Sequence, residues 1–257
     1  MTAVVRQKLT LGAVQTGRRQ APSRVLIYGP EGVGKTRFAS EADGVLLLDF
    51  EEGSNEYDVA RLGARKLAEV EDILSALLMD EHDFKVLAID TVDRLETLVH
   101  DAVCEREGKT SIEGFGYGKG FQIALDEWRR LLARLDELRV RRGIGILLLG
   151  HAAIRKFQNP QGDDFDRYQL RLHEKAGGLV KEWCDVVGFA QFEVVTKKDD
   201  RGAKAKGVAT GDRYLYTQRD AAYDAKSRYP IPQELPFSWT EFAKAMRAAR
   251  AQKEAAK

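Results

Sequence analysis

Short, mainly apolar runs alternate along this chain with longer stretches whose apolar residues recur every three to four positions. Val25–Tyr28, Val45–Phe50, Val86–Ile89 and Ile144–Leu149 have strand length and almost no polar interruption. Between them, Leu67, Val70, Ile73, Leu74, Leu77 and Leu78 form a helical stripe over 67–80, and further helices are predicted from Lys35 and over 92–104. The strongest amphipathic pattern runs from Phe121 to Leu138 through Ala124, Leu125, Trp128, Leu131, Leu132 and Leu135. Continuous apolar strands alternating with helices predict a parallel sheet covered on both faces. The last third changes character. Val186–Val195 and Arg213–Thr217 read as strands flanking a Gly-rich, charged tip, and prolines 230, 232 and 236 precede a final helix over 240–249. The predicted fold is α/β, with a mostly parallel central sheet, helices on both faces and a C-terminal antiparallel hairpin.

Composition narrows the class without naming a task. The 257 residues carry 41 Lys plus Arg against 40 Asp plus Glu, a formal net charge of +1, with 44% hydrophobic and 32% charged residues. No apolar run approaches the roughly 20 residues of a membrane helix. The N-terminus lacks a long apolar segment, and two cysteines, Cys104 and Cys184, are too few for a disulfide framework. A reduced, cytoplasmic protein without membrane partners is expected. The charge is unevenly spread. Residues 1–24 hold Arg6, Lys8, Arg18, Arg19 and Arg24 and no acid, and 239–257 hold five basic and two acidic residues. The expected organisation is a basic arm over 1–24, a core over 25–236 and a basic helix and tail over 237–257.

The first apolar run leads into Gly29-Pro30-Glu31-Gly32-Val33-Gly34-Lys35-Thr36, which fits G-x-x-x-x-G-K-[ST]. Glycines let such a loop curl so that successive N–H groups face phosphate oxygens, and the following helix adds the positive end of its dipole. Lys35 is expected to reach the β- and γ-phosphates and the Thr36 hydroxyl to ligate Mg²⁺, with Arg37 continuing the loop. The cofactors expected are therefore ATP and Mg²⁺. Asp90 ends the third apolar strand, where ligands gather in parallel sheets, and is the expected second metal ligand. The second strand ends in Asp49, Glu51 and Glu52; alternation puts Asp49 and Glu51 on one face, which selects Glu51 to hold and polarise an attacking water. His151 follows the fourth strand, beside the expected γ-phosphate.

These elements, GPEGVGKT (29–36), LLLDFEE (46–52), KVLAIDTVDRL (85–95) and ILLLGH (146–151), resemble the RecA-like recombinase and ATPase core. Within that core, the chain resembles the short, phage-encoded RecA-like nucleotide-binding proteins of single-strand annealing. The resemblance covers about residues 24–230 and implies a P-loop NTPase. It casts Glu51 as the catalytic glutamate, Asp90 as the magnesium ligand and His151 as a nucleotide sensor where the family commonly has Gln. Gly177-Gly178 match a glycine pair that opens a helix after the family's second DNA loop. By position, the family's two loops for single-stranded DNA fall at 108–120 and 155–175. The first offers Lys109, Phe115, Tyr117 and Lys119; aromatics on a pliable Gly-rich segment could stack on bases. The second offers Arg155, Lys156, Arg167 and Arg171, although Asp163, Asp164, Asp166 and Glu174 nearly cancel its charge. Lys226 and Arg228 resemble a K-x-R element that related hexameric helicases insert into a neighbouring subunit's site.

The resemblance thus implies a single-stranded-DNA-binding recombinase that hydrolyses ATP, performs annealing or strand exchange, and assembles as a filament or ring with ATP at subunit interfaces. Expected partners are single-stranded DNA, further copies of the chain and a single-strand-binding protein. A hexameric replication motor would share every one of these residues, and a nucleotide-gated DNA-binding scaffold would share all but the need for Glu51.

Overall fold

The computed structural model describes residues 11–14, 16, 17, 21–197 and 206–255. Most of the arm over 1–24 and residues 198–205 of the expected tip over 197–212 lie outside the described residues, and residues 206–212 of that tip are strand. A 3-10 turn (Leu11–Ala13) precedes strand β1 (Arg24–Gly29), helix α1 (Lys35–Ser40), β2 (Val45–Asp49), β3 (Ala60–Leu62), α2 (Leu67–Met79), β4 (Val86–Asp90) and α3 (Val92–Arg106). A second 3-10 turn (Ile112–Phe115) leads to α4 (Lys119–Arg141), β5 (Gly145–Phe157), β6 (Phe165–Leu170), α5 (Glu174–Trp183) and β7 (Val186–Lys197). The chain continues through β8 (Lys206–Tyr216), β9 (Lys226–Ser227), β10 (Glu234–Pro236) and α6 (Trp239–Ala255). Among the described residues no helix is long and apolar enough to cross a membrane.

The main path of the sheet runs β10-β8-β7-β1-β5-β4-β2-β3, parallel from β7 through β3, with antiparallel pairing at β7–β8 and β8–β10. Each central strand feeds both faces. In β1, Leu26 and Tyr28 join the core beneath α2 to α5, while Val25 and Ile27 join the core beneath α1 and α6. The same alternation divides Leu46 and Leu48 from Val45 and Leu47 in β2. Burial on both faces is why these strands carry hardly a polar residue before their carboxyl ends. The final helix, expected as part of a basic tail, buries Phe242, Met246 and Ala249, and Phe38 of α1 stacks on Phe237 at 4.9 Å between ring centroids.

Two segments differ from expectation. The fourth apolar run was expected to end at Leu149, with a loop over 155–175. Instead β5 continues to Phe157 and pairs antiparallel with β6. Phe157 faces Phe165 across the hairpin at 5.2 Å, and Asn159 closes the turn by donating its N–H to Asp164 at 3.2 Å. The polar, charged composition of this hairpin hid its strand character, because it lacks the apolar faces of the core strands. Gly177 and Gly178 lie inside α5 and do not open it.

Candidate functional site

The carboxyl ends of β1, β2 and β4 meet the middle of β5 at one edge of the sheet, with Asp49 beside Asp90 and Gly29 beside His151 in register. Strand β5 lies between the P-loop strand and the Asp90 strand, so its residues 149–151 lie beside the ends of both. The loop from Gly29 bends through left-handed glycines, Gly32 at φ 74° and Gly34 at φ 99°, and α1 starts directly at Lys35. A Cβ at Gly34 would come within 2.5 Å of the Arg213 guanidinium. Lys35 is buried and donates to the Pro30 and Gly29 carbonyls at 2.9 and 3.3 Å. Burial pulls its pKa down, opposed by the negative charges of Asp90, Asp93, Glu31 and Glu51. Arg37 points away and pairs with Glu41 at 3.0 Å on the exposed side of α1.

The Thr36 hydroxyl donates to Asp90 at 2.7 Å. Burial pushes the Asp90 carboxyl up to about 6, helped by the charges of Asp49 and Glu51 and resisted by Thr36 and Lys35. A hydroxyl beside a buried carboxylate is a hard oxygen donor set that fits Mg²⁺, and Mg²⁺ would relieve the crowded negative charge. Asp49, which shares the carboxyl edge, is used differently. It accepts N–H bonds from Glu51, Gly53 and Ser54 and a hydroxyl bond from Ser54, so the acidic turn is wound around it. Burial raises its carboxyl, but these bonds outweigh burial and hold it below the usual range. Glu51 accepts from the Thr91 hydroxyl at 3.2 Å, next to Asp90. Glu52, with φ 56°, lines a neighbouring cleft with Asp49, Leu62, Arg65 and Asp72.

Sequence reasoning missed a second layer. Asp93, in the first turn of α3, accepts the His151 N–H at 3.0 Å and lies 3.0 Å from the ring Nδ1. Arg171 donates to Asp93 at 2.8 Å and to Glu31 of the P-loop at 3.1 Å. Burial raises Asp93, but the bonds from His151 and Arg171 overcome it and drive the carboxyl well below the carboxylate range. Glu51, Asp93 and His151 bring ligand atoms within 4.8 Å of one another, and the Arg171 guanidinium already brings positive charge to this cluster. The only signal in the sequence was a second acid three residues after Asp90. Arg213, from β8, donates to the Val33 carbonyl at 3.1 Å and adds a cation at the loop.

The residues expected at DNA separate into different environments. Tyr117 is fully exposed, Lys119 is exposed at the start of α4, and Lys156 is exposed with Asp164 at 3.4 Å. Phe115 differs from the expected free stacking face: it packs partly against the core, with the Lys109 ammonium 5.9 Å above its ring. Arg155 is exposed and donates to the Leu172 carbonyl at 3.0 Å. Arg167 departs furthest from expectation. It is buried, pairs with Asp224 at 2.9 Å and donates to the Tyr223 and Asp220 carbonyls, so it fastens the hairpin to the 220–224 segment and presents no cation to solvent. Arg171, expected at DNA, belongs to the phosphate edge.

Lys226 and Arg228 lie at the other end of the sheet. β9 pairs with Val186 and Val187, which flank Val25 and Leu26, three to four residues or about 10–13 Å of strand before the P-loop. Lys226 donates to the Glu182 carbonyl at 3.1 Å and Arg228 to Asp185 at 3.0 Å. Neither reaches the phosphate loop of its own chain.

Glu96, one turn beyond Asp93, is buried and accepts the His173 N–H on both oxygens, at 3.1 and 3.0 Å. Burial pushes its carboxyl up to about 7 from an ordinary 4.5. The folded chain therefore holds a proton that the unfolded chain releases between those values, and stability from this group falls as pH rises through that window. Glu96→Gln keeps an acceptor and removes the charge. It should raise stability at pH 8 by up to about 3 kcal/mol and change little at pH 4 in urea unfolding. Equal effects at both pH values would contradict this account.

A glycine-rich loop on an apolar strand, a buried lysine within it and a Thr36–Asp90 pair beside it define a P-loop NTPase core. Over residues 21–229 the chain matches the family described as AAA domain, and it belongs to that family of nucleotide-binding ATPases. No curated protein is detectably similar to this chain.

Proposed function

We propose that this protein is a recombinase-type ATPase that binds single-stranded DNA and assembles, as a filament or ring, with ATP between subunits. The observation that carries this reading is the continuity of β5. The strand that brings His151 to the phosphate edge runs on into a hairpin bearing Arg155 and Lys156, then returns through β6 to Arg171 at the same edge. A change at the phosphate site would thereby be passed to Arg155 and Lys156, 4 and 5 residues beyond His151 along the same strand. Exposed Tyr117 on the neighbouring Gly-rich connection adds a stacking face.

At the site, the P-loop N–H groups and Lys35 bind the phosphates, and Glu51 holds a water and takes its proton as the water oxygen bonds to the terminal phosphorus and the bond from that phosphorus to the β-phosphate oxygen breaks, releasing ADP and phosphate. Thr36 and Asp90 would hold Mg²⁺, which when bound supplies positive charge to the phosphate oxygens. Because Lys226 and Arg228 do not reach the site of their own chain, a catalytic role for them would require a neighbouring subunit. The test is ATP turnover by the purified protein with and without single-stranded DNA, beside electron microscopy with an ATP analogue. DNA should raise turnover severalfold, and analogue plus DNA should produce filaments or rings. Wild-type protein that neither binds single-stranded DNA nor changes its turnover with it would sink the reading.

A further inference from the structure

Arg171 stands out because two roles compete for it. By position it ends a hairpin proposed for DNA, yet its guanidinium lies among the groups that face Lys35. Its backbone N–H donates to the His151 carbonyl at 2.8 Å, which seats it beside the middle of β5. One guanidinium nitrogen donates to Glu31 at 3.1 Å; the other donates to Asp93 at 2.8 Å and lies 2.9 Å from His151 Nδ1. The two carboxylates are not equivalent. The Asp93 side chain is 9% exposed, whereas that of Glu31 is 75% exposed. The pair with Asp93 is fixed, and the pair with Glu31 is water-screened, weak and easily exchanged.

We propose that Arg171 contacts the terminal phosphate of a bound nucleoside triphosphate, exchanging Glu31 for that phosphate, and so sets the preference of this site for triphosphate over diphosphate. The inference rests on the nucleotide site proposed above. A planar guanidinium can keep one nitrogen on Asp93 and turn the other to a phosphate oxygen, a fork geometry that suits both partners. Glu31 returns to water at little cost. Lys35 reaches both the β- and γ-phosphates and discriminates less. The exchange also explains an acid inside a phosphate-binding loop: Glu31 holds the arginine poised when no terminal phosphate claims it, and a diphosphate leaves that pair intact.

The test is calorimetric titration of wild type, Arg171→Ala, Arg171→Lys, Glu31→Gln and the Arg171→Ala/Glu31→Gln double variant with a non-hydrolysable ATP analogue and with ADP. Loss of one charge-assisted contact should weaken analogue binding by Arg171→Ala about tenfold or more, with ADP affinity held within about twofold. Arg171→Lys should fall between. Glu31→Gln should strengthen analogue binding, and that gain should disappear in the double variant, because it acts through Arg171. Both residues are solvent-accessible, and the opposite sign expected for Glu31→Gln separates a binding effect from damage to the fold. Parallel losses for both nucleotides, or unchanged analogue affinity in Arg171→Ala, would overturn the assignment while leaving the nucleotide site standing. Wild-type protein that binds neither nucleotide would overturn both.

Discussion

Replacing Lys35 by Ala is expected to cut nucleoside triphosphate affinity by about 30-fold or more, since truncating one partner of a desolvated charged contact costs about 2–5 kcal/mol, at about 1.4 kcal/mol per tenfold. The magnitude follows from where the lysine sits. Its ammonium is buried, held by the carbonyls of Gly29 and Pro30, and faced by the charges of Asp90, Asp93, Glu31 and Glu51. Alanine removes the one buried cation of the loop and leaves those four carboxylates to repel an incoming phosphate. Calorimetry or a fluorescent nucleotide would read the change, with circular dichroism to confirm the fold. Affinity within threefold of wild type would remove Lys35 from the site and with it the proposed nucleotide geometry.

Glu51→Gln is expected to lower ATP turnover by about 10²–10⁴-fold, the usual contribution of a positioned general base, while nucleotide affinity changes little. Its carboxylate is tied to Thr91 beside Asp90 and lies near Asp93 and His151, at the edge where an attacking water would stand. Glu52→Gln provides the comparison: that residue follows directly in sequence, but it lines the cleft with Leu62, Arg65 and Asp72 and should leave turnover near wild type. A Glu51→Gln variant that keeps full turnover would remove the base from the mechanism. If the wild type hydrolyses no ATP yet retains nucleotide-dependent DNA binding, the chain acts as a nucleotide-gated scaffold.

These expectations draw on residues of two kinds. The first kind is local. Gly29 to Thr36 are contiguous, and the chemistry of a phosphate loop is written in a single short segment, so it is legible without any fold. Asp90 belongs here too, because a lone carboxylate closing an apolar strand is conspicuous. The second kind is assembled. Asp93, His151, Glu31 and Arg171 come from a helix, the middle of a strand, a loop and a hairpin end, and no spacing in the sequence links them. Arg171 and Arg167 look alike in the chain, both basic residues in a mixed-charge stretch. One closes the phosphate edge and the other is buried against Asp224.

The pattern of apolar runs by itself determined the sheet, its two covered faces and the P-loop, because burying a strand on both sides demands nearly continuous apolar residues and a phosphate loop demands glycines at set positions. Only the tertiary structure decided the strand order, which sets β5 between the P-loop and Asp90 strands, the hairpin that carries β5 past His151, and the placing of Lys226 and Arg228 at the far end of the sheet. Those features depend on pairings between residues far apart in the chain. Polar hairpins and long-range ion pairs leave no periodic trace, since their partners are chosen by the folded backbone and not by neighbours in sequence.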